Sequence, residues 1–376
     1  MHKQQRDGNA SFSRFYMDSE VAKNTCNYRS LSVSLLDNSA AIKPLLQQQL
    51  SIAITLTGCK ACALSGVGIA PADTPGSSLV LPEMIPLYRL PDDTVVLYRS
   101  AIALKLAPLW QLPVLDIAHQ LVASFLTINQ DTTGQICLDF SVEVLSSGWI
   151  EFQLSDWGLA TWLQHSTHAF HHDAPQPWGE CVSPDKFFPV QYAHARCCSL
   201  LRLAHTQGLI KLRDLDFNTQ DLRNRPPSPP NLGGTGFTPP KVGGSGGQND
   251  GICVSPNTVS WQLVEPNPIP WLNDDQEADT GKVLLRLVYP AEQRLIAQIL
   301  DVQDVMNDQA QLSGVKLATA LSIVFERFYS SCRIWGEVKS QTPKLAQARL
   351  GLVVLTQALL RSLLQDYLGV PAPIEL

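Results

Sequence analysis

The chain has 376 residues, 45% of them hydrophobic and 16% charged, with a formal net charge of −6; this is enough for two domains with real cores at roughly 100–200 residues each. No apolar run approaches the roughly 18 uninterrupted residues of a membrane span, and residues 1–30 lack the charged-then-apolar pattern of a secretion signal, so the expected setting is the cytoplasm with no membrane partner. The nine cysteines lie mostly in apolar stretches, where free thiols behave as small hydrophobes, which argues against a disulfide framework. Net negative charge argues mildly against tight nucleic-acid binding, but the balance is uneven. Residues 281–376 carry 10 Lys and Arg against 8 acids, whereas residues 37–170 are clearly acidic.

In chain order, residues 40–56 and 100–125 carry apolar residues at helical spacing. Two strand-like runs follow. Phe140, Val142 and Val144 alternate with polar neighbours over residues 138–145, and after the Ser146-Ser147-Gly148 turn the alternation resumes over 149–154. That pair reads as an antiparallel hairpin on helices, a small α+β domain. A helix is expected from about Val190, after Pro189, with apolar positions every three to four residues. Pro, Gly and Ser then crowd residues 224–251 too densely for a core to form, and a disordered insertion is placed over 224–280. Its GGTG and GGSGG runs lack the preceding strand and following Lys-Ser/Thr of a phosphate loop. Helical patterns over 291–306, 313–330 and 344–368, the last stopped by Gly369 and Pro371, make the C-terminal part an all-α bundle.

Within these helices stand Gln191-Tyr192-Ala193-His194-Ala195-Arg196, then Phe328-Tyr329, Ala348-Arg349-Leu350 and Leu368-Gly369-Val370-Pro371. In order and spacing they closely resemble the anticodon-binding (DALR-type) domain of arginyl-tRNA synthetases, whose first helix carries a YAHAR sequence. Residues 100–125 and the Gly148–Leu154 segment are similar to the additional N-terminal domain of the same family. The resemblance implies a mainly α fold, an all-α anticodon-binding-like helical bundle joined to a small N-terminal α+β domain. The boundaries expected are a flexible N-terminus over 1–36, the N-terminal domain over 37–170, a connector over 171–188 and the helical domain over 189–376.

The family's catalytic middle has no counterpart. A class I synthetase needs a His-Ile-Gly-His-like segment and a lysine-containing loop to stabilise charge on the transferring phosphate, and neither is present. Only about 35 residues separate Leu154 from Gln191, against the roughly 100–200 of a nucleotide-binding domain. The expectation is a protein without arginine–tRNA ligase activity or ATP binding of its own, with no catalytic residues and no cofactor.

By resemblance, Tyr192, His194, Arg196, Phe328 and Tyr329 are the candidate RNA-binding residues, since unstacked bases lie on aromatic rings and arginine planes. The bland reading of the same residues is packing and hydrogen bonding inside the bundle. Glu151 and Glu326 stand where the family tends to have asparagine, and a carboxylate repels phosphate and offers bases only acceptors. Cys59 and Cys62 form a lone C-x-x-C, and His165, His168, His171 and His172 precede Cys181; without a second pair these read as ordinary thiols and solvated histidines, not a metal site. His119, Cys137 and Cys197 show no nucleophile-and-base arrangement. The expected partner is tRNA or another RNA, not DNA. Two alternatives stand beside it: a protein-interaction scaffold, and a subunit completed by a separate catalytic chain.

Overall fold

A computed structural model describes residues 29–34, 41–64, 81–92, 94–128, 137–167, 187–213, 261–273, 283–307 and 313–376. The 224–251 run, His168, His171, His172 and Cys181 lie outside the described residues, as do the side chains of Cys59, Cys62 and Cys137.

The first part is a five-stranded antiparallel sheet with helices packed on it. Its strands are β1 (Arg29–Ser34), β2 (Leu87–Arg89), β3 (Leu97–Ser100), β4 (Cys137–Val144) and β5 (Ile150–Leu154), in the order β1-β4-β5-β3-β2. Period-two alternation decides the faces. Leu138, Phe140, Val142, Ile150, Phe152 and Leu154 are buried, while Asp139, Ser141, Glu151 and Gln153 between them are not. The expected hairpin is β4–β5, paired from Val144–Ile150 to Phe140–Leu154. Gly148 closes its turn at φ +84°, and a Cβ there would lie 2.1 Å from Val114 Cγ1, so only glycine fits.

On this sheet sit α1 (Ile42–Leu64), α2 (Ile102–Trp110) and α3 (Val114–Ile128). The apolar stretch over 100–125 is thus two helices, bent by 113°. Gln111 adopts the left-handed conformation (φ 53°) and Pro113 follows it, which breaks the helix between them. Phe125 of α3 meets Phe152 with ring centroids 5.4 Å apart. α4 (Asp156–Ser166) starts with Ser155 Oγ accepting from Gly158 N at 3.0 Å. Among the described residues no single helix is long and apolar enough to cross a membrane; the bent α2–α3 pair matches one only by joint length and composition.

The second part is the helical bundle: α5 (Phe188–Thr206), α6 (Pro290–Asn307), α7 (Gly314–Ser331), the short α8 (Glu337–Gln341) and α9 (Pro343–Ser362), the last prolonged by one wide turn over Leu363–Tyr367. α9 is apolar nearly all round because α5, α6 and α7 surround it. Gly369 at φ +63° ends the run, as its place after Leu368 predicted. Arg349 in α9 is buried and its Nε donates to Glu292 Oε1 of α6 at 2.6 Å, while it also donates to the Arg333 carbonyl. The other carboxylate oxygen of Glu292 accepts from Tyr289 N at 2.9 Å, capping α6.

Two expected boundaries are corrected by strand pairing. Residues 29–34, assigned to a flexible N-terminus, form β1 and pair with β4 along Arg29–Val142 to Ser34–Cys137. The insertion placed over 224–280 contains β7 (Gln262–Glu265), antiparallel to β6 (Lys211–Arg213). Its apolar residues Trp261, Leu263, Ile269 and Trp271 are buried, enough to order a segment whose neighbours are Pro-rich. Trp271 lies on α9 where Gly351 leaves room, and its Nε1 donates to Gln164 Oε1 of α4 at 3.1 Å.

The two parts also meet directly. Arg89 of β2 makes a two-pronged ion pair with Asp301 of α6, both N–O distances being 2.6 Å. One turn on, Asp304 accepts from Tyr98 Oη at 2.6 Å and from Lys43 N at 2.9 Å. Burial pushes the Asp304 carboxyl up to about 6, against the lowering effect of those hydrogen bonds.

Candidate nucleic-acid interface

One turn of helix decides which residues of the YAHAR segment can meet a ligand. Val190, Ala193, His194, Cys197, Cys198 and Leu201 face the bundle, while Tyr192 and Arg196, four residues apart, share an outer face beside α7. Tyr192 is 39% exposed and Tyr329, across from it on α7, is 40% exposed. The Arg196 guanidinium bridges them, its carbon 5.4 Å from the Tyr192 ring centroid and 4.9 Å from that of Tyr329. Its Nη2 donates to Tyr192 Oη at 2.6 Å and its Nη1 reaches Tyr329 Oη at 3.4 Å.

These three side chains, with Ala193, Phe325 and Glu326, line a shallow hollow of about 200 Å³. Phe188, one turn before Tyr192, extends the strip; it is exposed, and its ring stacks on Tyr192 at 6.4 Å. Phe325 backs Tyr329 at 6.5 Å. Neither phenylalanine was singled out from sequence, although an aromatic at 188, another at 192 and arginine at 196 trace one face at i, i+4 spacing.

His194 and Phe328 are corrected. Phe328 is completely buried, packed on Phe325 at 6.4 Å. His194 is 1% exposed, with Nδ1 2.9 Å from Pro373 O and Nε2 2.9 Å from Gln357 Nε2. A carbonyl only accepts, so Nδ1 carries the proton and Nε2 accepts from the amide. Burial lowers the His194 pKa, with Arg361 adding to it and the Pro373 bond opposing it, so the ring is neutral at pH 7. Both residues face inward for the same reason: each is offset from the outward tyrosine of its helix by a step that turns it into the core. His194 instead moors the chain end, together with Gln191 Nε2 donating to Pro371 O at 2.9 Å and Arg202 Nη2 donating to Ile374 O at 3.0 Å.

The two carboxylates that replace asparagine have different surroundings. Glu151 on β5 accepts from Arg99 Nε at 2.6 Å, directly across from it on β3, and Arg99 also lies 5.9 Å from the Trp149 ring. Glu326 is exposed at the rim of the hollow. Burial raises the Cys197 thiol well above its usual range and Cys198 to about 12, so neither is a thiolate nucleophile at neutral pH.

Residues 272–376 match the family model of the DALR anticodon binding domain. The chain carries a DALR anticodon-binding domain. The chain is also similar to an arginine–tRNA ligase, of the family that the YAHAR helix resembles. Over 184 residues the chain is 26% identical to an arginine–tRNA ligase of Synechococcus sp. (strain JA-3-3Ab), covering 49% of this chain and 21% of that ligase. The matched part thus spans about a fifth of the length of that relative. No solved structure matches the chain. The DALR domain includes α6, α7 and α9, so Tyr329, Glu326 and Phe325 belong to it; Tyr192 and Arg196 come to it from α5.

Proposed function

We propose that this protein binds RNA, with tRNA the first candidate, on the α5–α7 face of its DALR region, and that it does so in the cytoplasm without ligase activity of its own. The observation that carries the reading is the Tyr192–Arg196–Tyr329 constellation, two half-exposed rings bridged by a guanidinium where α5 meets the DALR domain. Rings present π-faces to unstacked bases, and the arginine N–H groups left over after the tyrosine contacts can meet a phosphate or base oxygen. The absence of ligase activity is supported by the sequence between β5 and α5: it is 33 residues long (155–187) and α4 takes 11 of them, against the roughly 100–200 of a nucleotide-binding domain.

The test is titration of fluorescent total tRNA at rising salt with the full chain and with Arg196→Ala, beside an arginylation assay with ATP. Micromolar, salt-sensitive binding that weakens in the variant, with no arginylation by the chain alone, is the expected result. Absence of binding at micromolar protein, or arginylation without a second chain, overturns the reading.

Exposed apolar side chains favour a second reading, a protein partner that includes a separate catalytic chain. Asp156 Oδ2 accepts from Leu285 N at 3.1 Å, bringing the start of α4 to the 283–289 segment, where Trp157, Val288 and Tyr289 are all exposed. Arginylation that appears only on mixing with a second chain would select this reading.

A further inference from the structure

Resting on the proposed RNA site, we infer that Glu326 makes the hollow selective for the base it takes, with guanine first and uracil last. Among the described residues its carboxylate has no hydrogen-bond or ion-pair partner, and it stands at the rim of a hollow in which Arg196 holds both tyrosine hydroxyls and keeps further N–H groups to spare. A carboxylate offers acceptors only, and the nearby guanidinium offers donors only. The hollow therefore presents acceptors at Glu326 and donors at Arg196, with tyrosine rings against which a planar base can lie.

The Watson–Crick edges of the four bases answer that pattern differently. Guanine presents two adjacent donors, N1–H and the N2 amino group, which match both oxygens of one carboxylate, and its O6 accepts beside them, where a guanidinium can donate. Cytosine and adenine each bring a single amino group with ring acceptors. Uracil places its one N–H between two carbonyls, which face a carboxylate unfavourably. A bidentate contact of this kind is worth about 1–3 kcal/mol of discrimination, or roughly five- to 150-fold. The carboxylate that counts against a phosphate contact is thus suited to a base edge.

The test uses the full chain and hairpin RNAs with a uridine loop carrying one variable nucleotide, read by fluorescence anisotropy at fixed salt. The wild type should bind the guanosine loop about tenfold more tightly than the all-uridine loop. Glu326→Gln, which offers one donor and one acceptor at the same place, should bring the two within about twofold while leaving the thermal melting midpoint unchanged. Equal affinity for all four loops in the wild type, or a guanosine preference that persists in Glu326→Gln, overturns the inference and leaves RNA binding standing. Failure to bind any of the hairpins or tRNA overturns the RNA reading itself, and the inference with it.

Discussion

Replacing Arg349 by methionine tests the account of the Ala348-Arg349-Leu350 motif as a structural device. Arg349 and Glu292 are 9% and 1% exposed, and the arginine is the side-chain partner of the Glu292 oxygen Oε1. Methionine fills similar volume and leaves a buried carboxylate whose one remaining donor among the described residues is the Tyr289 N–H, while the Arg333 carbonyl loses the Arg349 N–H. Breaking a buried pair from one side costs about 3–5 kcal/mol. With roughly 2–4 °C per kcal/mol for folded units of about 150–250 residues, the melting midpoint should fall by about 6–20 °C. The double variant Arg349→Met, Glu292→Leu removes both charges, and should be less destabilised than the sum of the single variants by at least about 1 kcal/mol in urea unfolding. A loss under about 1 kcal/mol for Arg349→Met, or strict additivity in the cycle, would refute the buried-pair account.

Tyr329→Ala should weaken tRNA binding by about 1–3 kcal/mol through lost base stacking, with a smaller loss of urea stability of about 1 kcal/mol because the ring is 40% exposed and its inner face rests on Phe325; anisotropy and urea melts check the two halves. Gly351→Ala places a Cβ 2.4 Å from the Trp271 ring, so the gain of about 1 kcal/mol in helix propensity should be outweighed by overpacking of about 1–3 kcal/mol, giving a lower melting midpoint. The Asp304 carboxyl is raised from 3.8 to about 6 on folding, so the folded state holds the extra proton. Its contribution to stability is therefore present below about pH 4 and lost as pH rises through 6, and the stability of wild type relative to Asp304→Asn should improve on acidification through that window. His194 runs the other way: its folded pKa is lowered, so its contribution is present above the ordinary histidine value of about 6.5 and lost as pH falls. The urea midpoint of His194→Gln should depend less on pH below 6.5 than that of the wild type.

What could be read from the sequence divides along sequence separation. The β4–β5 hairpin was legible because its alternation and its Ser-Ser-Gly turn are local, and the helices of the bundle because their period and stops are. β1 was not, because its partner β4 lies more than a hundred positions away; β2 and β3 pair locally with each other but are only three and four residues long, too short for an alternation to stand out, and β3 is held in the sheet by β5 about fifty residues on. β7 was hidden in the same way, lying close to a Pro/Gly-rich run and finding β6 across it. At the site, the motif named the helices but not their faces. Tyr192, Arg196 and Tyr329 look outward, whereas His194 and Phe328, in the same short motifs, are core.

The two glutamates show why residue type alone does not settle function. From sequence both removed a neutral amide and added a charge unwelcome beside phosphate. In the fold, Glu151 stands between Arg99 on β3, with which it pairs, and Glu143 on β4, and only 14% of its side chain is exposed, so its carboxylate is tied into the sheet. Glu326 has no such partner among the described residues and stands in the open beside Arg196. The repulsion expected of both should therefore be felt mainly at Glu326, and there the adjacent guanidinium offsets it for a phosphate while leaving the acceptor pattern available to a base. Neutralising Glu326 should accordingly change which RNA is bound more than how much total RNA is bound, whereas neutralising Glu151 would orphan Arg99 and act on the sheet instead.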